Sequence, residues 1–153
     1  NDEKRKAKAS ADAWYLKAAE GGHVTSQYIL GIQGSTSWLL KAAHGGSTKA
    51  QVSTGIMYLS GQEIAANPNE GIKWLSRAAG NGSSAANTIL GRIYRDGEHN
   101  VSKDLNKAVK YYSEAHNQGD VSASFILGKL YEKGKSGIQR NQNFGMQSMQ
   151  MAS

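Results

Sequence analysis

The 153-residue chain has no cysteine, a single proline and no apolar run near the roughly 20 residues that a membrane-spanning helix needs. The first absence excludes disulfide staples, thiolate zinc sites and a cysteine nucleophile, but leaves the compartment open, since reducing and oxidising locations both tolerate a Cys-free chain. The third excludes membrane insertion through such a helix. The N-terminus NDEKRKAKAS lacks both an initiator Met and the apolar run of a signal peptide, so the chain is expected to be trimmed from something longer. Acidic residues are also short, 12 Asp+Glu against 18 Lys+Arg, and the deficit concentrates late: residues 121–153 carry Lys129, Lys133, Lys135 and Arg140 against Glu132 alone. That imbalance points to an acidic partner. It does not point to nucleic acid, because the basic residues form no continuous run interleaved with aromatics.

What the chain does have is glycine in register. From the aromatic anchors Trp14, Trp38, Trp74 and Tyr111, a glycine follows at a constant offset (Gly22, Gly46, Gly82, Gly119), and a second at another (Gly31, Gly55, Gly91, Gly128). Four anchors with two fixed offsets define an internal repeat. Small residues precede each anchor by three (Ala11, Ser35, Gly71, Ala108) and alanines follow it by four (Ala18, Ala42, Ala78, Ala115), with a large apolar residue directly after it. These offsets mark one face of a helix, with small residues where a neighbouring backbone comes close, and the first glycine ends that helix.

A second helical segment carries Ser26, Ala50, Ala86 and Ala123 in one column and Leu30, Thr54, Leu90 and Leu127 before the second glycine. Tyr58, Tyr94 and Tyr131 follow that glycine, and Gly61, Gly97 and Gly134 close the segment. Asn67-Pro68-Asn69-Glu70 reads as an N-cap, a proline at the first helical position and a glutamate at the third, with Ser102 as the cap of the corresponding later helix. No period-two alternation long enough for a sheet occurs. The expected fold is all-α, with helix pairs stacked into a solenoid, since each unit is too thin to bury its own apolar face.

Written out, GIKWLSRAAGNGSSAANTILGRIYRDG and AVKYYSEAHNQGDVSASFILGKLYEKG resemble the Sel-one-like repeat (SLR), a relative of the tetratricopeptide repeat. The resemblance implies a right-handed α/α superhelix of about four helix-pair repeats, near 8–33, 34–66, 67–102 and 103–140. A terminal half-repeat helix near 141–153 would act as a cap. It also implies a non-enzymatic adaptor or scaffold for other proteins, set in a bacterial periplasm or cytoplasm, or alternatively in a eukaryotic secretory lumen. Immunity proteins that neutralise toxins belong to the family, so an inhibitor of one enzyme or toxin is the alternative. A self-assembling protein, whose unfinished last repeat receives a neighbour's first, is another. The copies depart from register once, with 24 residues from Trp14 to Trp38 against 36 and 37 for the next two spacings. About twelve residues are missing between Gln33 and Gly34. A true deletion there is expected to merge two helices, and a linker left out of the sequence is the preferred explanation.

The four histidines lack ligand spacing, and no nucleophile elbow, phosphate loop or dinucleotide fingerprint occurs, so no metal, cofactor or catalytic residue is assigned. Asn81-Gly82-Ser83 and Asn100-Val101-Ser102 match the glycosylation triplet, as expected by chance in a chain rich in Asn and Ser caps. By analogy with tetratricopeptide proteins, the helix bearing the Leu-Gly pair lines a concave groove. Its groove positions are Thr25, Tyr28 and Ile32, then Lys49, Val52, Ile56 and Leu59. Ala85, Thr88, Arg92 and Arg95 follow in the third repeat, and Ser122, Phe125, Lys129 and Glu132 in the fourth. Arg92, Arg95 and Lys129 are expected to repel one another until a partner's carboxylates relieve them. Reversing Arg92 and Arg95 to Glu should then cost binding and leave folding alone.

The register makes a direct prediction for Ala78. Ala78→Leu should overpack a close helix contact and lower stability by about 1 to 3 kcal/mol in denaturant melts, whereas unchanged stability would remove Ala78 from that contact.

Overall fold

The computed structural model describes residues 1–134. Among them eight helices follow one another: α1 (Asp2–Glu20), α2 (Val24–Ile32), α3 (Thr36–His44), α4 (Thr48–Ser60), α5 (Pro68–Gly80), α6 (Ser84–Asp96), α7 (Leu105–Asn117) and α8 (Val121–Glu132). No strand occurs among the described residues. Two compact units divide the chain, Asn1–Asn67 and Pro68–Ser153. The expected capping helix, with Met146, Met149 and Met151, lies outside the described residues, and so does self-association through it.

One device builds every hairpin within a pair. Gly22, Gly46, Gly82 and Gly119 all take φ between +93° and +99°, a left-handed conformation that costs a side chain dearly. The residue after each glycine donates its N–H back to the alanine column at 3.0 Å: His23 to Ala18, Ser47 to Ala42, Ser83 to Ala78 and Asp120 to Ala115. This is a Schellman closure, which satisfies carbonyls left over at the helix end. The same four residues then cap the next helix. The His23 ring nitrogen accepts from the Ser26 N–H at 3.2 Å, Ser47 Oγ from Ala50 at 3.2 Å, Ser83 Oγ from Ala86 at 3.1 Å and Asp120 from Ser122 at 3.0 Å. Ending one helix and starting the next are thus one set of bonds.

Two members of the second glycine column, Gly31 and Gly91, have a packing reason, whereas a Cβ on Gly128 would meet nothing within 4 Å. A Cβ on Gly31 would sit 2.8 Å from the Leu39 Cα, and one on Gly91 would sit 2.9 Å from the Tyr112 ring. Leu39 and Tyr112 each directly follow an anchor, so the glycine lets the next helix press its large apolar residue onto the backbone. In the second unit this seats Tyr112 in a buried cluster with Ala108, Val109, Ala115, Ala123 and Leu127. Ala42, Ala78 and Ala115 are fully buried, as their column requires. A polar column runs beside them: Gln27 and Gln51 donate to the Ala19 and Ala43 carbonyls at 3.1 and 3.2 Å, and Asn87 to Gln118 Oε1 at 3.0 Å. Buried amides therefore fasten α2, α4 and α6 to the end of a first helix, and in α8 the Ser124 hydroxyl bonds to the His116 ring instead.

Three expectations are corrected. α7 is capped by Asp104, which accepts from the Lys107 N–H at 3.1 Å, and not by Ser102; the Asp104 N–H is itself anchored on the Tyr94 carbonyl at 2.8 Å. With Gln33 joined directly to Gly34, as in this sequence, the first two repeats do not merge their helices, and the omitted-linker explanation of the short spacing remains an expectation. α2 and α3 have 9 residues each where α4 has 13, and a turn through Gly34 (φ +119°) joins them, its N–H donating to the Gly31 carbonyl at 3.1 Å. Finally, the anchor face of α1 is largely uncovered: Trp14 is 69% exposed where Trp74 is 4% exposed. Within its unit α1 packs on α2.

Gly31→Ala isolates the close approach. Helix propensity alone would favour alanine by up to about 1 kcal/mol, but a Cβ against the Leu39 backbone must push α2 from α3. A net loss of about 1 to 3 kcal/mol in chemical denaturation is expected, and a net gain would refute the packing role.

Candidate protein-interaction site

The predicted groove positions do not behave alike. In the first unit Thr25, Ile32, Lys49 and Ile56 are exposed, and Tyr28 and Val52 are half-buried. Leu59 is a correction: at 8% exposure it belongs to the core and cannot anchor a partner. The segment after α4 folds back over that last turn, with the Asn67 N–H on the Tyr58 carbonyl at 2.8 Å.

In the second unit the end of α6, the start of α7 and α8 enclose an open cleft of about 550 Å3. It brings together three of the expected residues, Arg95, Phe125 and Lys129, with six that the repeat register did not single out: Asp96, Lys103, Leu105, Ile126, Leu130 and Lys133. Phe125 stands 68% exposed on its wall, with the Lys129 ammonium 5.6 Å from the ring centroid. Four cations face one carboxylate, and the apolar surface comes from Leu105, Ile126, Leu130 and the phenyl ring. Ala85, Thr88, Arg92, Ser122 and Glu132 are not among its lining residues. Thr88 Oγ1 lies 3.0 Å from both Asp120 Oδ2 and the Ser84 carbonyl, while Ser122 bonds to Asp120.

The expected cluster of mutually repelling cations is also corrected, because each already has an internal partner. Arg95 forks onto Asp96 through Nε and a terminal nitrogen at 2.9 and 2.8 Å and lies over the Tyr112 ring at 5.9 Å. Arg92 pairs with Glu98 at 3.5 Å and Lys129 with Glu132 at 3.6 Å. The fork raises the Arg95 pKa above the ordinary guanidinium value and lowers that of the Asp96 carboxyl. Reversing Arg95 to Glu would set two carboxylates side by side and uncover Tyr112, so that variant would disturb the fold as well as binding.

No group of His, Asp or Glu that could hold a metal ion occurs among the described residues, and no described helix is long and apolar enough to cross a membrane. Asp120 is built into both a cap and a cross-helix contact. The Ser122 hydroxyl foremost, and then Thr88 and the Ser122 and Ala123 amides, lower its pKa. A depressed carboxyl stabilises the fold above its unfolded-state value, near 3.9, and the contribution is lost as pH falls through the folded-state value. Asp120→Ala should therefore cost about 1 kcal/mol at neutral pH. The gap to the parent should narrow in melts taken below about pH 4; a gap independent of pH would show that the charge plays no part.

Comparison with known proteins places this geometry. A search of curated proteins returned no match. A Sel1 repeat protein from Oxalobacter formigenes superposes with a TM-score of 0.73 at 33% identity, over 80% of this chain and 54% of that one. A protective antigen of uropathogenic Escherichia coli displaying an SLR fold gives 0.75 at 30% identity, over 89% of this chain and 31% of that one. An immunity protein from Pseudomonas aeruginosa gives 0.62 at 25% identity, over 84% of this chain and 50% of that one. The chain thus spans about half of the first protein and about a third of the second. Sel1 repeat proteins are protein-interaction modules, and their fold is typically a non-catalytic scaffold. Matching the Sel1 repeat over residues 13–23, 48–83, 84–120 and 121–153, with the all-helical fold of solved SLR proteins, this chain belongs to the Sel1 repeat family.

Proposed function

We propose that this chain is a non-enzymatic adaptor that holds a protein partner with an acidic contact surface, and that in the second unit the partner seats in the cleft between α6 and α8. One observation carries the reading: a phenyl ring, Phe125, stands in water on the wall of a cleft with four cations and one carboxylate. Burying such a ring on binding contributes on the order of 1.5 to 3 kcal/mol, and buried aromatic anchors beside charged groups are typical interface hot spots. Ile32 and Ile56, exposed directly after the second glycine of their repeats in the first unit, offer it an apolar face of its own.

The alternative role is inhibition of one enzyme or toxin by covering its active site. The observation favouring it is the likeness to an immunity protein from Pseudomonas aeruginosa over 84% of this chain. In that case the captured partner would be an enzyme, and its activity would fall in proportion to the complex formed.

Affinity capture with the full chain, followed by mass spectrometry and titration of the partner found, tests the adaptor reading. Phe125→Ala should weaken binding by about tenfold or more, a loss on the order of 2 kcal/mol at an anchor position. Its melting temperature should stay close to the parent's, because an exposed ring contributes little to folding. Undiminished affinity would place the partner on another face.

A further inference from the structure

We propose that the cleft between α6 and α8 receives a short linear segment in which large apolar side chains are flanked by carboxylates, and that Lys103 and Lys133 read those carboxylates. The inference rests on the protein-binding reading above and names the partner's chemistry.

Size argues for a segment. Two folded surfaces that form a stable complex bury about 800 Å2 on each side, whereas a cleft of about 550 Å3 has the dimensions of a site that engulfs a small ligand or a few side chains. Its lining argues for the composition. Exposed Phe125, half-buried Leu105 and Ile126 and the edge of Leu130 give apolar surface, and the rest is four cations with the single carboxylate Asp96.

Internal pairing then decides which cations are available. Arg95 is committed to Asp96, and Lys129 leans on Phe125 and Glu132. Lys103, in the connection between α6 and α7, and Lys133, which follows α8, have no carboxylate within ion-pair distance among the described residues. Both are exposed. An unpaired ammonium on a flexible stem gains an incoming carboxylate without breaking an existing pair, which the two forked or paired side chains cannot do. Among the described residues the cleft thus carries two cations outside any ion pair around an apolar wall, with Lys103 also acting on Asp96 electrostatically.

The test uses fluorescence anisotropy of the full chain with a short labelled peptide bearing Asp and Glu on both sides of a Leu-Phe pair. Two control peptides replace the acids by lysine or the Leu-Phe pair by serine. Saturable binding of the acidic apolar peptide below about 1 mM, weakened by added salt, is expected, with both controls weaker. Lys103→Glu combined with Lys133→Glu should reduce affinity by about tenfold or more, while Arg92→Gln, outside the cleft, should change it by less than about twofold. Circular dichroism confirms that both variants are folded. No binding by the acidic peptide, equal binding by the lysine peptide, or indifference to the double reversal would overturn the proposal.

The captured protein partner separates the two readings. If Phe125→Ala releases it and the double lysine reversal does not, the cleft binds through apolar contact alone; the present inference falls and the adaptor reading stands. If neither variant releases it, both fall.

Discussion

The fold depends on a turn that must be left-handed at one residue. Each first helix ends with its alanine-column carbonyl accepting from the residue three beyond the helix end, and that closure is open only to a chain that can take φ near +95° at the residue just before the donor. Glycine does this at little cost. Because the donor residue also caps the following helix, the angle between paired helices is set by backbone bonds before any side chain packs. Gly31 and Gly91 then permit the second close contact, helix on helix between pairs, at distances that a methyl group would obstruct.

This arrangement explains why the site lies where it does. Packing consumes the alanine, leucine and tyrosine columns, and buried amides such as Gln27, Gln51 and Asn87 fasten the helix ends. Residues on the remaining face of each Leu-Gly helix are free to vary, and in the second unit that freedom places Phe125 and Lys129 opposite Arg95 across a cleft. The proposed binding chemistry draws on exposed positions such as Phe125, Lys103 and Lys133, whereas Arg95 also pairs with Asp96 and covers Tyr112. Such positions can be re-coded for a new partner without disturbing the turns.

Much of this was legible in the sequence because constant offsets report backbone constraints. The first glycine column, Gly31 and Gly91 of the second, Ala42, Ala78 and Ala115 of the alanine column and Pro68 at the first position of α5 are all repeated or local features, and the structure places them as the register implies. What could not be read were contacts set by rotamers and by chain segments folding back. Arg95 meets Asp96 only because their side chains turn toward each other, Leu59 is buried where the following segment returns over α4, and Asp104 displaces Ser102 as a cap. Lys103 and Lys133 lie outside the helical columns altogether, so repeat spacing gave no signal for them. Trp14, 69% exposed where Trp74 is 4% exposed, shows that a repeated offset marks a helix face without fixing how far that face is buried.

The central claim is that the cleft between α6 and α8 is the contact surface for a protein partner. Nuclear magnetic resonance titration of the isotopically labelled chain with its captured partner tests this most directly. The account predicts that the largest shift changes fall on Phe125, Ile126, Lys129, Lys103 and Arg95, leaving the buried alanine columns nearly still. Changes concentrated on α5, on the first-helix faces or on α1, with the cleft resonances unmoved, would contradict it.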